Sequence, residues 1–253
     1  MITNRSISSL PSKAFTLMEL LVSISIISVL AALSLTGVSS IKEKSRRVRC
    51  LNNLKQFLIT SHLYANETEE RLLPGKDNNN DANSSSEVSI AKSHTINLSD
   101  ETMGNIGRLA GSTNIAYCPG FAHGWMSTHI KKYGYTIGYN YLGGHKFSTT
   151  NFPQFAAWRS PQRATEDGSL PLIADANHWA TQDGWAVAPH GMRGPIREGG
   201  SFFVRSSGGD PSVNLGSAGG NVGYLDGSVV WKPVIEMKQH IASSHRDEYI
   251  GAW

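Results

Sequence analysis

Residues 15–38 carry one charge, Glu19, across 24 positions. No other stretch constrains this chain as strongly. A membrane-spanning helix needs about 20 mostly apolar residues. An export signal has an apolar core of about 7–15 residues followed by a small-residue cleavage site. The run is too long for the second and long enough for the first. Ser23, Ser25, Ser28, Ser34 and Thr36 make it only moderately apolar. Their short hydroxyls, together with Gly37, let helices approach closely, so the segment is suited to packing on other helices as well as lipid. Glu19 stands out, because a carboxylate four residues into such a span is expensive and needs a partner or the headgroup level.

The helical signal continues past the apolar run. Ile41, Val48, Leu51, Leu54 and Leu58 fall at spacings of 7, 3, 3 and 4, one stripe of a helix. Lys42, Lys44, Arg46, Arg47 and Arg49 occupy other faces, with Glu43 as the lone acid. Nothing breaks the pattern until Asn66, and Pro74-Gly75 ends the region. One helix over 15–66 is expected, about 78 Å long at 1.5 Å per residue. The basic cluster reads either as a solvated face or as a contact for lipid headgroups. Counting cations on the two flanks of the apolar run does not place the N-terminus on the cytoplasmic side.

Composition bounds the remainder. The chain has 253 residues, 40% of them hydrophobic, enough to bury a core, and 25 glycines, which favour a turn-rich body containing β-structure. Two cysteines exclude a disulfide scaffold. The formal charge is +3, and Arg5 and Lys13 lie in the first 14 residues. Without them the balance is 21 − 20 = +1, which gives no nucleic-acid footprint.

Residues 67–253 read as one globular β-rich body, with a polar, low-complexity and mobile insertion near 75–100. Expected strands are 114–117, 133–142, 170–175, 200–205, 221–225 and 228–232, with a short helix over 234–245. The clearest element is Asn221 to Trp231, two apolar runs flanking Asp226-Gly227. Asp-Gly is the strongest short hairpin signal and predicts a type I′ turn with φ > 0 at both residues.

Chemistry is sparse. The nine histidines form no HExxH and no tight His/Cys cluster, so scattered surface histidines and no metal are expected. Asp77, Asn79 and Asp81 have the alternate spacing of a calcium loop, but Ala82 stands where an EF-hand needs glycine. Calcium is the one cofactor this pattern admits. Asp175 and Asp226 could pair, but Asp226 is accounted for by the turn and Asp175 by a strand end. With no G-x-S-x-G and no P-loop, an enzyme is not expected. Trp125, Trp158, Trp179, Trp185, Tyr133, Tyr135, Tyr139 and Tyr141 read as a β core or as a glycan-stacking surface.

Lys13-Ala-Phe-Thr-Leu-Met-Glu-Leu-Leu-Val22 resembles the processing site of type IV prepilins and type II secretion pseudopilins. In that family a prepilin peptidase removes a short basic leader before the phenylalanine and N-methylates the new terminus. The resemblance implies a leader at 1–14, cleavage between Ala14 and Phe15, N-methylation of Phe15, and Glu19 as the assembly residue. The family usually has glycine where this chain has Ala14. A second resemblance is to prepilin-like proteins with an "H-X9-DG" C-terminal domain. It rests on Cys50–Gln56, Tyr64–Asn66, Tyr117–Pro119, Gly138–Tyr141 and Gly219–Gly227. The histidine of that motif is absent, since Gly216 stands ten before Asp226.

These resemblances imply an α+β, pilin-like fold: a long N-terminal helix, transmembrane over 15–38, packed on an antiparallel sheet. They imply a structural subunit of a type IV pilus or type II secretion filament. Its partners would be prepilin peptidase, other subunits met through the N-terminal helix, and the inner membrane, with the globular part outside the cytoplasm before assembly. There a disulfide between Cys50 and Cys118 is chemically allowed, two buried thiols being the alternative. A pilin-anchored adhesin or glycan-binding module is the other functional reading.

Overall fold

The computed structural model describes residues 15–78, 94–121, 129–131, 133–145, 154–192, 194–199, 209–243 and 249–253, with the backbone alone at 32–40. The leader 1–14, with Ala14, lies outside the described residues, as do Asn79 and Asp81 of the calcium pattern, the strand expected at 200–205, and Trp125. The chain divides into two compact units, residues 1–40 and 41–253.

Helix α1 runs over Leu17–Glu67. No helix among the described residues is long and apolar enough to cross a membrane. Glu19, Ser23, Ser25 and Ser28 dilute the apolar run. Of the expected stripe, Leu54 and Leu58 are buried, but its N-terminal members are not. Ile41 is 67% exposed and Val48 57% exposed, whereas Cys50, Leu54, Phe57, Leu58, Ser61 and Ala65 are buried. This face repeats at 4, 3, 1, 3 and 4, so it is as helical as the expected stripe but rotated around the axis. Glu43, one heptad before Cys50, belongs to it and is also buried.

Among the described residues, the body covering this face is built from three antiparallel sheets rather than one. The first comprises β1 (Asn97–Leu98), β2 (His129–Ile130) and β3 (Gly134–Thr136), in the order β1-β3-β2. A second contains β4 (Tyr139–Tyr141), β5 (Pro171–Asp175), β9 (Gly219–Tyr224) and β10 (Val229–Pro233), in the order β10-β9-β5-β4. The third contains β6 (Asn177–Ala180), β7 (Trp185–Gly191), β8 (Gly194–Glu198), β11 (Gln239–Ile241) and β12 (Tyr249–Ala252), in the order β11-β12-β6-β7-β8. Leu54, Phe57 and Leu58 of α1 share one core with Ile137, Tyr139, Tyr141, Leu172, Ile173 and Trp185.

Several local expectations fail for identifiable reasons. Residues 114–116 form a 3-10 turn, not a strand. The strand expected over 133–142 is broken between β3 and β4, which lie in different sheets. The break falls at Ile137-Gly138, where a Cβ on Gly138 would lie 2.3 Å from the Cys118 nitrogen, so only glycine passes. The helix expected over 234–245 is a 3-10 turn at Val234–Glu236 followed by β11, which pairs with β12. Helix α2 (Asp100–Ala110) was not foreseen. Ser99 caps its start by accepting from Thr102 N at 3.2 Å, and Gly111, at φ 72°, ends it. Within the supposed insertion, Lys76 O accepts from Ser99 N at 2.8 Å and Leu98 is fully buried, so both flanks of 79–93 belong to the body.

The Asp226-Gly227 hairpin forms, joining β9 to β10, but its turn differs from expectation. Gly227 has φ 84°, while the only described non-glycine residues with positive φ are Glu69 and Glu70. Gly227 N donates to Tyr224 O at 3.0 Å and Tyr224 N donates to Ser228 O at 2.9 Å. This is a three-residue loop, a type I turn closed by a left-handed glycine, which needs φ > 0 at one position instead of two. Asp226 accepts from Ser228 N at 2.8 Å.

Candidate functional site

The sequence reading passed over the most concentrated chemistry in the body. His190, one residue before the end of strand β7, is fully buried. Its Nδ1–H donates to Glu43 Oε1 of α1 at 2.8 Å, and its Nε2 lies 3.2 Å from Asp175 Oδ2 at the end of β5. Burial alone would lower the His190 pKa, but Asp175 and then Glu43 more than offset it and hold the ring charged, with a pKa of about 9. Arg46 and Arg47 each approach the Glu43 carboxylate to 3.4 Å. The Arg47 guanidinium also lies 4.1 Å over the Trp231 ring. Two members of the basic cluster therefore face inward, not toward solvent or headgroups alone.

Asn221 of β9 clamps Asp175 from the far side. Its backbone N–H and its Nδ2 donate to Asp175 Oδ2 at 2.6 and 2.8 Å. The second oxygen, Oδ1, is buried without a hydrogen-bond partner among the described residues. The two cysteines are both free thiols and both buried, with Sγ atoms 3.1 Å apart. Gly120 N donates to Cys118 Sγ at 3.3 Å. The neighbouring Cys118, burial and the Asp175 charge all push the Cys50 thiol pKa up. Cys50, Asp175 and His190 each place a ligand atom within 4.8 Å of the others.

The histidines expected at the surface are largely interior. His94, His145, His178, His190 and His240 are all buried. His240 stacks on Trp253 at 4.4 Å, and His178 stacks on Trp185 at 5.4 Å. Of the aromatics weighed as a glycan platform, Tyr139, Tyr141, Trp179 and Trp185 are buried, and Trp158, Tyr133 and Tyr135 are half-buried. Asp175 and Asp226 do not share an environment, one being buried and the other exposed on a hairpin. A lone acid inside a basic cluster, Glu43, and a histidine closing an apolar run, His190, were the signals available for the network.

The N-terminal unit has a different character. Thr16 and Glu19 form a reciprocal capping box at the start of α1. Thr16 N and Oγ1 donate to Glu19 Oε2 at 2.9 and 3.0 Å, and Glu19 N donates to Thr16 Oγ1 at 3.2 Å. Glu19 is thus partnered within its own chain. Ser23, Ser25 and Ser28 donate back to the carbonyls of Glu19, Val22 and Ile24 at 2.7–2.8 Å, so their hydroxyls ask nothing of the surroundings. The large apolar side chains from Phe15 to Leu30 point outward all round the helix, between 47% and 79% exposed. A helix apolar on every face needs lipid or other helices around it.

Residues 11–35 match the prokaryotic N-terminal methylation motif. The match spans 25 of 253 residues and includes the Ala14–Phe15 junction, Thr16 and Glu19. It supports a type IV pilin-like protein at the methylation motif and does not extend to the body, so the resemblance to an H-X9-DG domain stands without that support. No curated protein and no solved structure matches the chain.

Proposed function

We propose that this chain is a structural subunit of a helical cell-envelope filament of the type IV pilin or type II secretion pseudopilin kind. The observation that carries the reading is the coincidence of the methylation motif with a helical segment, Phe15 to Leu30, whose large apolar side chains are all exposed. Prepilin peptidase removes residues 1–14 and methylates Phe15. The segment 15–38 rests in the inner membrane until assembly, with the body outside the cytoplasm. The self-satisfied hydroxyls of Ser23, Ser25 and Ser28 support this, because a hydroxyl already bonded to its own helix costs little to bury in lipid. In the filament, other subunits replace the lipid around the helix. Glu19 of one subunit then meets the Phe15 amine of the next, which pairs two charges that are costly in an apolar medium and sets the stagger between subunits. The role is structural rather than catalytic.

Terminal mass spectrometry of the membrane fraction tests the reading. A chain beginning with N-methylated Phe15 is expected. A chain that retains residues 1–14, or begins near residue 38, overturns it.

A further inference from the structure

We propose that Cys50, Cys118, Asp175 and His190 form a buried site for a zinc-class divalent metal ion, with Glu43 and Asn221 holding its ligands from behind. The site belongs to the body alone and stands independently of the filament reading.

Four distant parts of the chain converge there: the middle of α1, the Cys118-Pro119-Gly120 step, the end of β5 and the end of β7. The ligand atoms of Cys50, Asp175 and His190 lie within 4.8 Å of one another, and Cys118 Sγ lies 3.1 Å from Cys50 Sγ. Cys50, Asp175 and His190 make a three-donor set, and Cys118 Sγ, in contact with Cys50 Sγ, supplies the fourth donor by a side-chain shift on loading. Such a soft-to-borderline set suits tetrahedral Zn²⁺ better than Ca²⁺ or Mg²⁺, which take oxygen ligands.

The surroundings are those of a metal site rather than of an ordinary core. A ligating histidine commonly donates its other ring N–H to a carboxylate, and His190 Nδ1–H does so to Glu43 at 2.8 Å. This directs Nε2 toward Asp175 and the thiols. Asn221 fixes Asp175 through Oδ2 and leaves Oδ1 buried with no hydrogen-bond partner among the described residues, an arrangement that otherwise costs free energy. Gly120 N–H donates to Cys118 Sγ, the kind of bond that stabilises a thiolate. Gly138 lets the chain pass close to Cys118, whose backbone nitrogen any Cβ there would meet at 2.3 Å. Loading exchanges the Cys50 and Cys118 thiol protons and the His190 Nε2 proton for the metal, and these protons leave to solvent. All four ligands are buried, so the ion enters as the body folds rather than through a channel.

The test uses the full chain, purified in detergent under a phosphine reductant with no added metal. Elemental analysis of wild type is expected to give about one zinc per chain. Refolding with Co²⁺ should give the thiolate-to-cobalt charge-transfer and visible d–d bands of a tetrahedral site. Cys50→Ser and Cys118→Ser should lose the charge-transfer intensity. Glu43→Gln should retain the spectrum but weaken affinity about 10–100-fold in a chelator competition. The wild-type cobalt spectrum does not depend on whether any variant folds. A folded wild type with two titratable thiols and no metal overturns the proposal. So does a mass lower by two hydrogens without metal, which would mean that a disulfide links the sulfurs. Full metal content in Cys50→Ser overturns it as well.

Discussion

His145 and His178 are fully buried neutral rings. Burial holds the first at a pKa of about 4 and the second at about 3. His145 Nε2–H donates to Tyr141 O at 2.7 Å, and His178 Nδ1–H donates to Asn140 Oδ1 at 2.9 Å. In the unfolded chain both titrate near 6.5. Below about pH 6.5 the unfolded state therefore takes up protons that the folded state refuses, and stability falls as pH drops toward 4. His190, held charged in the metal-free fold, acts with the opposite sign, so the readout is a difference between two proteins that share it. His145→Gln should show a shallower loss of melting temperature from pH 7 to 4.5 than wild type; parallel curves would refute the assignment. Gly227 gives a second test at this scale. At φ 84° with open space around it, it is required by backbone conformation and not by packing. Gly227→Val should cost about 1–2 kcal/mol in denaturant unfolding, and Gly227→Asn clearly less. Equal losses would place the cause elsewhere.

Among the elements, α1 carries the sharpest expectations. The buried face through Leu54 and Phe57 predicts that Leu54→Ala costs about 2–5 kcal/mol, while Val48→Ser on the exposed face stays within about 0.5 kcal/mol. The reverse order would restore the stripe through Val48. At the start of the same helix, Glu19 completes the capping box with Thr16, and in the proposed filament its charge also meets the next subunit. Glutamine serves a capping box nearly as well as glutamate but carries no charge. Glu19→Gln and Glu19→Ala should both be inserted and cleaved, and both should build filaments poorly at expression equal to wild type. Normal filament yield from Glu19→Gln would leave Glu19 as a helix cap alone.

For the whole molecule, residues 41–253 form a compact unit whose core draws on α1 and on strands of all three sheets. That fragment should remain soluble without detergent and unfold in one cooperative transition by circular dichroism. A fragment that precipitates, or melts without a transition, would show that the core is incomplete without residues 1–40. All three sheets are antiparallel, and their longest strands are β7, with seven residues, and β9, with six. The body is therefore held by many short pairings rather than by one extended ladder.

The sequence by itself determined what depends on neighbours along the chain. The apolar run with its lone glutamate, the helix that follows, and the Asp226-Gly227 hairpin are local patterns, and the methylation motif is a contiguous 25-residue signal. Which face of α1 is buried was decided only by the tertiary structure. Ile41, Val48 and Leu51 satisfy helical spacing as well as Cys50, Leu54 and Phe57 do, and only the surface packed against them selects one stripe. The break of 133–142 into two sheets was likewise hidden, because it comes from the contact of Gly138 with Cys118. The buried network was out of reach for the same reason. Glu43, Cys50, Cys118, Asp175 and His190 are spread over 148 positions, and nothing in their spacing brings them together. They meet because α1 crosses the ends of β5 and β7, where water is excluded and each charged group must find its partner within the protein.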